Sequence, residues 1–360
     1  MMTILFRYLF RELTLHVLFT LAGLLGLYTF FDLIAELSEL GKGGYGLKDA
    51  LIYVLLQIPA NAYELMPIAA LIGGIFALAA LSGQSELTVM RSAGISVKRL
   101  LCWLLAIGSL YGVVTVALGE YVAPATKQMA NQYRLSATKA MLVGEFRSGV
   151  WVKDGRQIVN IGEMLPDLTI FKVRIYEFGE GLSIGRVIEG EQGRFLGKGQ
   201  WELTQTRETT FLPGEAGVTV KAKPQATWQT QVSPEMLAVL LVEPSQMSAR
   251  SLYSYIDHLK RNRQTTKRYE LALWGKLFYP LACLSMLVIA LPFAQTQRRS
   301  SNVGVRLFAG ILVGLSFHFL NRIVVYLGEL NSWPASLVVS VPTVLFMIIA
   351  LFLLWRQERR

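Results

Sequence analysis

Cysteine and histidine are almost absent from this chain. Its 360 residues hold only Cys102, Cys283, His16, His258 and His318. Both cysteines fall in apolar runs, which leaves no disulfide framework and no cysteine-based metal spacing. The histidines lie far apart and none has a second ligand at useful spacing, so neither a metal ion nor another cofactor is expected. Charge is sparse as well: 17% of residues are charged and 53% are hydrophobic. That balance argues against an ordinary soluble domain and points to a membrane protein. A phosphate-binding loop of the form G-x-x-x-x-G-K-[ST] is missing, and the nearest stretch, GKGGYGLKD, only has the glycines. No nucleophile–base constellation stands out either. The chain is therefore expected to be a non-enzyme, with any energy source in another protein and no nucleic-acid partner. The first apolar run is too long for a cleavable signal peptide, and no small-residue cleavage site follows it.

Long apolar runs are plentiful instead. A bilayer core about 30 Å thick needs roughly 20 apolar helical residues. Six runs meet this need, near residues 13–37, 65–81, 100–118, 271–293, 303–327 and 334–355. A shorter apolar lead-in at 51–59 precedes the second. About 150 residues without such a run separate the third from the fourth. The expected fold is membrane α-helical, with six transmembrane helices and an inserted all-β jelly-roll domain. The divisions fall at 1–122, 123–266 and 267–360.

Basic residues in short loops orient such a chain. Arg7, Arg11, Arg91, Lys98, Arg99, Arg298, Arg299, Arg306, Arg356, Arg359 and Arg360 fall on one side. The short loops of the other side hold Lys42 and Lys48 against Glu39, Asp49 and Glu329. Both termini are thus expected in the cytoplasm and the insertion outside.

The insertion reads as β. WVKDGRQIVNI, FKVRIYEF, GRVIEG, GQWEL, TTFL, GVTVKA and ATWQTQV are short runs of β-branched and aromatic residues. Gly, Pro and Asp-Gly signals separate them at sandwich or jelly-roll spacing. FKVRIYEF alternates only in part, with Lys172, Arg174 and Glu177 as outward candidates. After Pro244 the pattern turns helical, and Leu252, Tyr255, Ile256 and Leu259 form one stripe of an amphipathic helix.

Residues 82–99, SGQSELTVMRSAGISVKR, join the second and third spans. As a short helix from about 85 to 93, Leu87, Met90 and Gly94 line one face, with Glu86 and Arg91 off it. Ser85 is a candidate cap and Gly94 a candidate stop. Two readings stay open: an interfacial elbow, or a docking helix through which a soluble partner acts on the membrane part.

Intramembrane charges are costly and so are functional candidates. Asp32 and Glu36 lie one turn apart on the first span, and His318 and Arg322 one turn apart on the fifth. Three readings are open for these. Asp32 and Arg322 form an ion pair, Arg322 meets an anionic ligand in a cavity, or the long side chains snorkel to the interface. Outside, Lys42, Lys127, Arg134, Lys139, Lys260, Arg261, Arg263, Lys267 and Arg268 lie close to the membrane. Phosphate-bearing lipid headgroups would explain them, and so would a solvated face.

Several segments resemble the LptF/LptG permease family. They are RYLFRE, SGQSELTVMRSAGIS, GEYVAPATKQMANQYR, GVWVKDG and RYELALWGKLFYPL. The last two are nearer to LptG than to LptF. The resemblance covers nearly the whole chain, and the order of three helices, β-domain and three helices agrees with it. It implies a membrane subunit of a transporter that extracts lipopolysaccharide from the bacterial inner membrane. The implied partners are an LptF-like second permease subunit, an LptB-like ATPase dimer, an LptC-like jelly-roll protein and an LptA-like bridge. The family glutamate that meets the ATPase matches Glu86, with Met90 and Arg91 beside it. The family's lysines along the outer third of the first helix are not matched here: Thr29 and Asp32 lie in that region and Lys42 only follows it. Arg134 matches a basic family position, so Lys42, Lys127, Arg134 and Arg322 are the headgroup candidates. The first and fifth spans form lateral gates in the family. Phe30, Phe31, Asp32, Phe317 and Phe319 are the gate and cavity candidates. The alternative is a mechanotransmission subunit that carries no substrate, for which four spans rather than six would be usual.

Overall fold

A computed structural model describes residues 2–138, 149–164, 169–179, 183–211, 217–234, 236–237, 243–294, 303–331 and 333–359. Arg298, Arg299, Arg360 and Lys139, named above, lie outside the described residues. The chain divides into two compact units. One comprises residues 1–36, 54–127 and 267–360; the other comprises 37–53 and 128–266.

The first unit is helical. It contains α1 (Met2–Glu36), most of α2 (Leu47–Gly83), α3 (Glu86–Ser92) and α4 (Val97–Ala117). A π turn (Leu118–Val122) carries α4 directly into α5 (Ala123–Thr138). After the β-domain come α7 (Lys267–Ala294), α8 (Val303–Leu330) and α9 (Ala335–Glu358). Six of the described helical stretches are long and apolar enough to cross a membrane, as the six runs required. The first three extend well beyond those runs. The lead-in at 51–59 belongs to α2, because Pro59 and Pro67 sit inside one continuous helix. In lipid a proline need not end a helix, since neighbouring helices satisfy the freed carbonyls. The boundary placed at 122/123 likewise falls inside a continuous helix.

Small residues let these helices approach closely, as expected where no hydrophobic force acts between helices in lipid. Gly108 and Gly112 of α4, one turn apart, face Leu284 and Pro280 of α7. Gly310 and Gly314 of α8 face Ile75 and Leu71 of α2. Gly73 of α2 meets the backbone of Val17 on α1, where an added Cβ would lie 2.5 Å from the Val17 Cα. So α2 is the spine on which α1 and α8 both rest. Leu71, Ile75 and Leu78 of α2 are fully buried in the core, with Leu104 of α4 and Leu287 of α7.

The second unit holds a six-stranded antiparallel sheet in simple sequence order. Its strands are β1 (Val150–Asp154), β2 (Gln157–Met164), β3 (Ile170–Phe178), β4 (Ile184–Gly197), β5 (Gln200–Phe211) and β6 (Val218–Gln229). The pairing order, which the sequence left open, follows from tight hairpins. Gly155 takes φ +57° in the Asp-Gly turn between β1 and β2. Lys198 and Gly199, both with positive φ, turn β4 into β5. One sheet face is the core, with Val159, Ile161, Val173, Ile175, Trp201, Leu203 and Trp228. The Trp201 indole nitrogen donates to the Val232 carbonyl at 2.8 Å. Lys172 explains the partial alternation in β3. Its φ of +52° breaks the period of two, so Lys172 points out between buried Ile170 and Val173. Arg174 is exposed, as expected, whereas Glu177 is half-buried and accepts from Gln157 and Arg186.

Helix α6 (Ala249–Arg261) belongs to this unit. Ser248 caps it by accepting from the Ser251 N–H at 3.1 Å. Leu252, Tyr255, Ile256 and Leu259 are buried, the stripe read from the sequence. The Asn262 side chain accepts from the Gly155 N–H at 2.8 Å and so ties the helix end to the β1–β2 turn.

Candidate functional site

The short helix α3 is rooted in the helical core. Ser85 does not cap it through its side chain. It adopts φ +61° and makes a sharp left-handed corner out of α2. The far end is a Schellman closure. Gly94 at φ +91° donates to Arg91 O at 3.0 Å, and Ile95 donates to Met90 O at 3.1 Å. Leu87, Met90 and Ile95 all enter the core cluster of the membrane helices. Met90 is buried. It faces the chain's own interior and anchors α3, so it is not on the face a partner would meet. That face carries Thr88, Val89, Arg91 and Ser92, all exposed. Glu86 is half-buried and lies within electrostatic reach of the Tyr8 hydroxyl of α1. Ser96 then caps α4 by accepting from the Arg99 N–H at 3.3 Å, leaving Lys98 and Arg99 exposed.

The two helices that the sequence singled out as gates are the least covered. Only 6% of the apolar window of α1 and 17% of that of α8 is buried, against 78% for α2. Phe30 and Phe31 are both exposed and meet edge to face at 5.8 Å. Phe319 is exposed as well. Phe317 is not: it is buried and packs on Phe346 of α9 at 5.2 Å. Phe317 therefore fixes α8 to α9 and lines no open surface. Asp32 and Arg322 make no ion pair. Asp32 accepts instead from the Asn61 side-chain amide of α2 at 2.7 Å. Arg322 is exposed, and His318 lies within electrostatic reach of it and of Glu64.

In the second unit, two of the expected headgroup cations share one carboxylate. Lys42 lies 2.9 Å and Arg134 3.5 Å from Glu39. The Arg134 guanidinium also sits 5.3 Å from the Tyr53 ring centre. Tyr133, its neighbour, donates to Asp49 at 2.6 Å. Lys127, on the same helix as Arg134, is half-exposed. Arg261 pairs with Asp257 at 2.5 Å on α6.

Sequence reading passed over Lys276, which lies well inside an apolar helix. Its amine donates to the Gly119 carbonyl at 2.8 Å and stands 5.2 Å from the Tyr63 ring centre. The signal was available: one lysine within LALWGKLFYPL. It also passed over Asn61 and Tyr8. Among the described residues, no group of three His, Cys, Asp or Glu side chains is placed to hold a metal.

These features define a class: a polytopic membrane protein with six apolar helices, an inserted antiparallel β-domain and a short elbow helix rooted in the helical core. The sequence matches the family described as lipopolysaccharide export system permease LptF/LptG over residues 7–356, and the chain belongs to that family. It is 30% identical over 353 residues to the Escherichia coli K12 lipopolysaccharide export system permease protein LptG, covering 98% of both chains. It is 29% identical over 353 residues to the Haemophilus influenzae protein of the same name, again covering 98% of both.

Proposed function

We propose that this permease extracts lipopolysaccharide from the outer leaflet of the bacterial inner membrane and hands it to a periplasmic jelly-roll bridge. The chain hydrolyses nothing itself. An LptB-like ATPase dimer supplies the work from the cytoplasm, an LptF-like subunit completes the cavity, and LptC-like and LptA-like proteins receive the lipid. Both termini and α3 face the cytoplasm, and the β-domain is periplasmic.

One observation carries this reading. Helix α3 has an inner face buried in the core and an outer face left bare, and its Glu86 lies within electrostatic reach of Tyr8 of α1. A partner pressing on the outer face therefore acts on α1, one of the two helices whose apolar surface is open. An amphiphile with several acyl chains needs such a surface. Its phosphates need cations, which Arg134, Lys42, Lys127 and Arg322 supply.

The test is reconstitution with the partner ATPase and a jelly-roll acceptor. Glu86→Ala is expected to abolish ATP-driven loading of lipopolysaccharide onto the acceptor. Normal loading by that variant overturns the docking role. Arg134→Glu and Arg322→Glu are expected to copurify less lipopolysaccharide than wild type, and equal amounts would remove them from the headgroup site.

A further inference from the structure

Helix α6 ends in a chain of hydrogen bonds with no place for a second proton on His258. The Gly155 N–H in the β1–β2 turn donates to the Asn262 side-chain oxygen at 2.8 Å. That donor fixes the orientation of the amide, so the Asn262 side-chain nitrogen is the atom turned to His258. It donates to the His258 carbonyl at 3.1 Å and stands 3.2 Å from the His258 Nε2. An amide nitrogen only donates, so Nε2 is the acceptor and the imidazole is neutral, with its one proton on Nδ1. Both side chains are buried. Arg263 then takes φ +55°, rare for a residue with a side chain, and Gln264 donates to the Leu259 carbonyl at 2.9 Å to close the last turn.

A proton on Nε2 would aim an N–H at the Asn262 amide nitrogen. Turning the amide over would give His258 an acceptor, but would aim the same nitrogen at the Gly155 N–H. No orientation satisfies both neighbours, so one buried hydrogen bond is lost either way. The other groups near the ring offer no substitute. Asp154 of β1 lies within electrostatic reach, but its carboxylate already accepts from the Thr230 hydroxyl and from the Gln231 N–H at 2.9 Å. Arg261 and Asp257 of α6 act on the ring in opposite senses and pair with each other. The Lys153 backbone carbonyl of β1 is also within reach.

We propose that His258 and Asn262 form a pH-sensitive latch, which holds the end of α6 to the β1–β2 turn while the imidazole is neutral and lets go when Nε2 takes a proton. Burial pushes the imidazole below its ordinary value, so the latch is shut at neutral pH and opens in mild acid. It lies where the chain leaves the β-domain: α7 begins at Lys267, five positions after Asn262.

Hydrogen exchange of the full chain in its assembled complex, read by mass spectrometry over residues 150–160 and corrected for the intrinsic rate, tests the latch. From pH 7.5 to 5.5, protection of the β1–β2 turn is expected to fall by on the order of tenfold, as for one lost buried hydrogen bond. Asn262→Asp places a carboxylate between the Gly155 N–H and a protonated imidazole, and both can donate to it. An aspartate with an ordinary value of about 3.9 stays ionised over this range. That variant is expected to keep or gain protection as the pH falls. A fall as large as that of wild type overturns the proposal, because an asparagine that only caps the helix has no reason to set the sign of the pH dependence. If Asn262→Asp does not accumulate, His258→Gln replaces it. With nothing to titrate, it is expected to show protection independent of pH. Constant protection in wild type, or the wild-type fall in His258→Gln, overturns the latch.

Discussion

The carboxylate of Asp32 on α1 is held by the side-chain amide of Asn61 on α2, at 2.7 Å. Asn61 is 6% exposed, so this bond is shielded and ties the two helices together. Asn61→Ala leaves a carboxylate without its donor and is expected to cost about 1–3 kcal/mol. Thermal unfolding of the purified complex measures it. Exchanging the charges of Asp32 and Arg322 together should do no better than either single change, because the two do not meet.

The two neighbours on α3 should separate cleanly. Met90→Ala opens a hole in the core and is expected to lower stability by about 2–5 kcal/mol. Arg91→Ala touches only the bare face and should stay within about 0.5 kcal/mol of wild type. Arg91→Ala is nonetheless expected to weaken stimulation of the partner ATPase. Equal stability losses for the two variants would contradict the inward placement of Met90.

Gly73 is the point where α1 crosses α2. A methyl there meets the Val17 backbone at 2.5 Å, and backbone cannot swing aside as a long side chain can. Gly73→Ala is expected to destabilise by roughly 1–3 kcal/mol and to push α1 off its seat. A disulfide engineered between the two helices near Val17 would then form more slowly than in the parent.

Acid should loosen the β-domain in two stages. Burial pushes the His258 imidazole below its ordinary value. The unfolded chain therefore binds the proton more readily, and stability is full above about pH 6.5 and falls as the pH drops below it. Hydrogen bonds from Arg186 first, and then from Lys223, hold the Glu208 carboxyl below the usual range. That contribution is present above about pH 4.3 and is lost at lower pH. It amounts to roughly 1 kcal/mol or less, as for other surface pairs. Melting curves from pH 7.5 to 5 should slope with pH, and His258→Gln should flatten that slope.

Much of this was legible before any coordinates. Six apolar runs mark six spans because the bilayer demands a fixed length of unbroken hydrocarbon. Leu252, Tyr255, Ile256 and Leu259 mark the buried stripe of α6 because a helix repeats every 3.6 residues. Asp154–Gly155 marks a hairpin because glycine accepts positive φ. The short helix between the second and third spans was visible too, since charged residues between two spans must lie at a surface. What was not legible shares a cause. Met90 and Phe317 are apolar residues whose partners lie far along the chain, and spacing alone does not say which way they point. Asp32 and Arg322 looked matched by charge, yet the nearer helix supplied an uncharged amide.

Sequence alone determined that the chain is a membrane protein with an inserted β-domain, because solvent preference and backbone period are local properties. The three-dimensional arrangement decided which polar atoms find one another. The Gly119 carbonyl accepts from Lys276, 157 positions further along the chain, and that follows only from the packing of α7 against α4. Buried polar groups must be satisfied, and only tertiary packing determines which partner does so.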